Sequence, residues 1–234
     1  MAVAACASVS ALSLGLPVQA AMPEGKGALP KQMFYAKAPL SSGLKQRFAN
    51  DITEITVLGV LNASSTGIPS EGRLKEVLII GVLLNGLTIP LEALEHIAKL
   101  RPSGILFVCV RAKEGVEECA LAVRRARPGR AGHVQHNTVF VGEWQPAKTT
   151  TLTLGGGSIE QLWEGLNAQA ILNSTNPENL DLRIARRENI AELKAADAKL
   201  TKDHARAKHP SQRNEIYAKL HKVRTQLAQL EQDD

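Results

Sequence analysis

Glu76-Val77-Leu78-Ile79-Ile80-Gly81-Val82-Leu83-Leu84 is the stretch whose reading decides the fold. A half-exposed strand alternates apolar and polar residues, whereas a nearly unbroken Val, Ile and Leu run of this length belongs to a strand covered on both faces. Ile105 to Val110 reads as a second strand of the same kind. Between them Pro90 stands at the first turn of a short helix through Leu91, Leu94, Ile97 and Ala98, which stops before Arg101-Pro102. The order strand, short helix, strand predicts parallel pairing through a right-handed crossover.

Downstream of this unit, Lys113-Glu114-Gly115 is a tight turn, and Val116 to Arg125 returns as the third strand. Thr138 to Trp144 supplies a fourth, and the alternation of Thr149 to Leu154 suggests a short fifth. Gly155-Gly156-Gly157 ends it. Ser158 with Gln161 three residues later makes a capping box for a helix through Leu162, Trp163 and Leu166. Upstream, a helix is expected from Ser41 or Ser42, with Leu44, Phe48, Ile52, Ile55 and Leu58 on one face, until Gly67, Pro69 and Gly72 break the pattern. Gly15 to Pro30 reads as an irregular wrap. Ala2 to Ala20 is small and apolar and is expected to be a packing helix. A cleaved signal is the alternative, because Val18-Gln19-Ala20 mimics a peptidase site, although no Lys or Arg precedes the apolar run.

Composition changes after the polar segment from Asn173 to Asn179. Ile190, Leu193, Ala196 and Leu200 form one stripe; beyond His209-Pro210, the residues Ile216, Leu220, Val223, Leu227 and Leu230 recur at spacings of four and three, a coiled-coil seam. Two such helices joined by a short polar connection fold back on each other, since neither is stable alone in water. The expected architecture is therefore α+β. A mixed four- to five-stranded sheet with packed helices occupies residues 1–172, a linker residues 173–182, and an antiparallel, coiled-coil-like helical hairpin residues 183–234.

The chain of 234 residues is 44% hydrophobic and 22% charged, which places it among globular proteins and away from disordered ones. Aromatics reach only 3%, so the core has to be aliphatic. A net charge of +5 permits acidic partners without requiring them. Cys6, Cys109 and Cys119 lack any CxxC spacing, which argues against zinc or a disulfide framework and fits a reducing cytoplasm. No run suits a membrane span.

Candidate chemistry is sparse. The Gly155 to Ser158 turn lacks the lysine of a phosphate-binding loop. His133 and His136 have no Cys or carboxylate close in sequence to complete a metal set, and His96 is expected beside the core. Glu117, Glu118 and Glu143 offer acids for a divergent metal-dependent nuclease, but no lysine stands in the required place. Arg124, Arg125, Arg127 and Arg130 form a cluster that could grip DNA or RNA phosphates. Arg183, Arg186, Arg187, Lys219, Lys222 and Arg224 concentrate positive charge on the hairpin and are candidate partner-binding residues.

The run Leu29-Pro30-Lys31-Gln32-Met33-Phe34-Tyr35, the helix Leu44-Lys45-Gln46-Arg47-Phe48 leading to Asp51-Ile52-Thr53-Glu54-Ile55, the strand Ile105-Leu106-Phe107-Val108, and Gln212-Arg213-Asn214-Glu215-Ile216 before a Leu-rich helix resemble the bacterial domain-of-unknown-function family 4391. The resemblance spans essentially the whole chain and rests on order and spacing. It implies an opening helix followed by a Leu-Pro turn, here Leu16-Pro17; a departure is Val57-Leu58-Gly59, where such proteins often carry a Trp. It carries over no catalytic residue and no cofactor. It implies company with helicase and DNA methyltransferase subunits of restriction or phage-defence systems. The expectation is a non-catalytic, cytoplasmic adaptor acting through protein contacts. A nucleic-acid-binding module using the arginine cluster is the alternative, and a divergent nuclease the second.

Overall fold

A computed structural model describes residues 2–37, 40–127 and 136–232. It divides into two compact units, Met1–Glu178 and Asn179–Asp234. In the first unit, strands β1 (Ala5–Cys6) and β2 (Val9–Ser10) are followed by helices α1 (Gln32–Lys37) and α2 (Ser42–Asn50), strand β3 (Ile52–Asn62), one helical turn α3 (Ala63–Thr66) and strand β4 (Glu76–Leu84). Helix α4 (Leu91–Lys99), strands β5 (Gly104–Lys113), β6 (Val116–Ala126), β7 (Asn137–Val141) and β8 (Gln145–Pro146), and helix α5 (Ile159–Leu172) complete it. The second unit holds α6 (Leu180–Arg206) and α7 (Pro210–Gln232). No helix among the described residues is long and apolar enough to cross a membrane.

The large sheet has six strands in the order β3-β4-β5-β6-β7, with β8 also paired to β6. β4 and β5 run parallel, as expected from the helix between them, and the other neighbours are antiparallel. Leu78, Ile80, Val82, Ile105, Phe107 and Cys109 share one face with Phe34, Phe48, Ile52, Ile55 and the α4 residues Ala93, Leu94 and Ile97. The alternate residues, among them Val77, Ile79, Leu106, Val108 and Val110, are equally buried on the other face. Helix α5 covers part of that face with Ile159, Leu162, Leu166 and Ile171. Coverage on both sides is why β4 and β5 read as unbroken apolar runs.

Three expectations are corrected. Residues 2–20 are not a helix: β1 and β2 form a hairpin, closed by Ala7 at φ 52°, and a 3-10 turn follows at Val18–Ala20. Cys6, Val9, Ala11 and Leu14 are fully buried in it. The helix propensity of alanine yields to packing, because small residues let this hairpin lie flat on β4. A Cβ on Gly81 would sit 2.5 Å from Cys6 Cβ, so only glycine allows the approach.

Second, the helix begun at Ser42 ends at Asn50, and Ile52, Ile55 and Leu58 belong to β3. Register shifts between Ile52 and Glu54 and between Val57 and Gly59 mark bulges that convert the period of two into a period of three. Third, residues 149–154 form no strand, and β8 pairs with β6 in their stead. The segment after the 3-10 turn also does more than wrap. Met22 N–H donates to Leu58, Val57 N–H to Gly27 and Leu29 N–H to Ile55, at 2.8–2.9 Å, covering the open edge of β3.

In the second unit α6 and α7 run antiparallel, since Asp197 meets Arg224 and His204 meets Tyr217. Ile216, Val223, Leu227 and Leu230 are half-buried and Leu220 buried, against Ile190, Leu193, Ala196 and Leu200, which are half-buried in turn. The chain therefore has the α+β sheet and the doubled-back helical pair that its patterning predicts.

Candidate interaction surfaces

Consecutive strand residues point to opposite faces, and this disperses the arginine cluster of β6. Arg124 turns toward α4, where its Nε lies 2.8 Å from Glu95 Oε1. Arg125 turns toward α5, where one terminal nitrogen lies 2.8 Å from both carboxylate oxygens of Glu164. Each arginine thus ties one helical layer to the sheet, and the two guanidinium groups do not share a surface. Arg127, at the strand end, is engaged as well, and its backbone N–H donates to His136. Arg130 and His133 lie outside the described residues. Lys99 joins Arg124 at the same oxygen of Glu95, while the other oxygen is buried without a hydrogen-bond partner.

The same alternation separates the acids considered for a nuclease. Glu118 accepts from Arg111 on one face, while Glu117 accepts from the Ser8 N–H on the other. Glu143 is exposed. Among the described residues no three His, Cys, Asp or Glu side chains are grouped to hold a metal ion.

Arg111 is a largely enclosed charged side chain at the end of the sheet. Its guanidinium gives two hydrogen bonds to Glu118, at 2.7 and 2.9 Å, and one of 2.7 Å to the Leu87 carbonyl, and lies 3.7 Å above the Trp144 ring. Sequence reading passed over this arginine, although the turn could have revealed it. Glu114 and Gly115 both have positive φ, so the hairpin has a two-residue loop and places residue 111 directly opposite residue 118.

Near the N-terminus of α5, Ser158 Oγ accepts from Gln161 N–H and Gln161 Oε1 accepts from Gly157 N–H. The cap is satisfied within the chain. The adjoining groove of about 490 Å³ is lined by Glu160, Glu164 and Glu178, which would repel a phosphate. His96 Nε2 lies 3.0 Å from the Phe34 carbonyl oxygen, which can only accept from it, and the ring packs edge-on against Phe48, so this half-buried residue joins α1 to α4. The three thiols are buried. Burial, with Glu54 and Glu117 nearby, pushes Cys6 up to about 12; burial likewise raises Cys109 and Cys119.

On the hairpin, Arg186 reaches the Leu230 carbonyl near the end of α7, and Arg224 pairs with Asp197 at 2.6 Å and reaches Thr201. Arg183 is engaged too, and Arg187 is half-buried. Lys219 and Lys222 are exposed on α7, and Tyr217 keeps 61% of its surface open. Of the hairpin candidates, then, Arg186 and Arg224 serve the helix pair itself, and Lys219 and Lys222 face solvent.

Neither a curated protein nor a solved structure matches this chain. A family model described as a domain of unknown function, DUF4391, matches residues 14–227, so that both the sheet unit and most of the helical pair fall within it, and the chain belongs to that family.

Proposed function

We propose that the protein is a non-catalytic, cytoplasmic adaptor that binds other proteins chiefly through the outer surface of its α6/α7 pair. The observation that carries this reading is the disposition of the helical seam. The leucine ridge is consumed between the two helices, while on α7 Lys219 and Lys222 are exposed on one flank of that seam and Tyr217, 61% open, lies on the other flank beside His204. An exposed tyrosine is a residue type that anchors protein contacts, and exposed lysines at the margin steer an acidic partner. The partners in keeping with the family's company are helicase and DNA methyltransferase subunits of restriction or defence assemblies. Direct nucleic-acid binding is the weaker reading, because Arg124 and Arg125 are turned apart and each faces a carboxylate.

The test is co-purification of the full chain with such subunits, followed by titration. Y217A combined with K222E is expected to weaken association by roughly tenfold, about 1.4 kcal/mol, and to leave the helix content unchanged. Absence of association at micromolar concentration overturns the proposal. Binding to DNA or RNA that fades with salt and is lost on substitution of Arg124 and Arg127 would replace it with the nucleic-acid reading.

A further inference from the structure

Protein interiors are packed as densely as organic crystals, and voids larger than a water molecule are few. Between α1, the sheet and the end of α4 lies an opening of about 190 Å³. Leu29, Phe34, Leu78, Ile80, Ile97 and Ile105 contribute to its wall, and every lining residue is apolar except Arg101. Arg101 follows Leu100, the residue that closes α4, and is exposed; among the described residues it makes no hydrogen bond or ion pair. Its neighbours differ. Arg124 and Lys99 share Glu95, and Glu76 accepts from the Ser103 hydroxyl.

We infer that this cavity is a binding site for a small carboxylate with an apolar body, the body filling the aliphatic chamber and the carboxylate meeting Arg101 at the rim. An apolar cavity of about 150 Å³ stays dry and accepts benzene, so a chamber somewhat larger takes about six to eight carbons. Water gains nothing there, since two to four polar partners are needed to hold it and the wall offers one. The guanidinium decides the sign of the ligand: its planar fork matches a carboxylate in two parallel hydrogen bonds. Its exposure keeps the charged end in contact with solvent, so the ligand's charge is not buried. Met33, 41% exposed at the rim, has the adaptable side chain that admits ligands of slightly different shape.

The experiment titrates the full chain, isotope-labelled at its methyl groups, with hexanoate and separately with hexanol as the uncharged counterpart. Saturable shifts are expected for the methyls of Leu78, Ile80, Ile97 and Ile105 with both probes, hexanoate binding the tighter. R101Q is expected to weaken hexanoate roughly tenfold, about 1.4 kcal/mol, while hexanol changes by less than about twofold. M33W, placed on the exposed rim where it does not disturb the core, is expected to abolish both. The inference is overturned if these methyls show no saturable shift at millimolar hexanoate. It is equally overturned if R101Q weakens both probes alike, or if M33W leaves binding intact.

Discussion

Strand β3 and helix α7 show apolar residues at almost the same intervals, yet one lies in a sheet and the other in a helical pair. In β3 the fully buried positions are Ile52, Ile55, Leu58 and Leu61, each three apart. In α7 the covered positions are Ile216, Leu220, Val223, Leu227 and Leu230, alternating four and three. A helix advances about 100° per residue, so a strict spacing of three drifts by roughly 60° at each step and leaves the face within four repeats. Alternation of three and four stays on it. The residues between agree: Thr53, Thr56, Val57 and Val60 are β-branched, whereas Ala218, Lys219, Lys222, Gln226 and Gln229 are helix formers. A sustained spacing of three therefore fits the bulged β3 and not a straight helix.

The sharpest way to break this comparison is to truncate one buried residue on each side. Ile55→Ala, at a site 1% exposed in β3, is expected to cost about 2–5 kcal/mol and to lower the denaturation midpoint of the sheet unit, read by tryptophan fluorescence at Trp144 and Trp163. If Ile55 instead stood on a helix face flanked by solvent, the loss would stay below about 1 kcal/mol. Leu220→Ala in α7, 5% exposed, is expected to cost less, about 2 kcal/mol, and to appear as lost helical circular dichroism without a change at the tryptophans. Loss of both signals together would mean that the two units unfold as one.

A smaller effect tests the bulge itself. Gly59 follows the second register shift, and a Cβ there would lie 2.8 Å from the Ala20 carbonyl oxygen. Gly59→Ala is expected to destabilise by about 1–2 kcal/mol, with the segment from Ala4 to Ala20 loosening first. Its reporter is Cys6, whose thiol is fully buried in the native chain and should resist a thiol reagent until this variant opens the hairpin. Cys109, held inside the sheet, should stay protected in the same variant, and equal labelling of both would refute a local opening.

The parts that were legible in the sequence are those in which local pattern and tertiary role coincide. β4 from Val77 and β5 from Ile105 to Val110 lack polar side chains because both faces are covered, Ser41 and Ser158 accept the helix-capping bonds that their positions predict, and the α6/α7 seam follows one periodicity. The parts that were not legible depend on contacts made across the chain. Residues 2–20 have helix-forming alanines, and only the flat approach to Gly81 and the bridge from Ala21 to Gly59 makes them a hairpin and edge cover. The arginines of β6 are adjacent in sequence, yet the pleat sends Arg124 and Arg125 to opposite helices, so a linear charge cluster does not become a surface patch. Arg101 carries no linear signal at all, because its significance comes from an aliphatic wall assembled from α1, the sheet and α4.

The smallest expected effect concerns the connection between β3 and β4, where sequence predicted only a break. Glu160, in the first turn of α5, accepts from the Leu74 N–H at 3.0 Å, and the Ile159 N–H donates to the Pro69 carbonyl, so the loop is pinned to the helix. A Cβ on Gly72 would meet the end of the Glu160 side chain, so this carboxylate lies directly against the loop. Glu160's own backbone N–H, then the Leu74 N–H, the Ser158 hydroxyl and Lys75 hold its carboxyl below the usual range, against a desolvation that acts the other way. A depressed folded-state value means that the folded chain binds the proton less readily than the unfolded one. The pinning is thus fully present above the ordinary glutamate range and disappears as pH falls through the lowered value. Hydrogen exchange of the Leu74 amide should therefore be slow at neutral pH and accelerate on acidification, while in Glu160→Gln the exchange already approaches its acid-side protection at neutral pH. An amide equally protected in both chains would show that the loop is held by Pro69 and its neighbours, and that the carboxylate is incidental to the connection between β3 and β4.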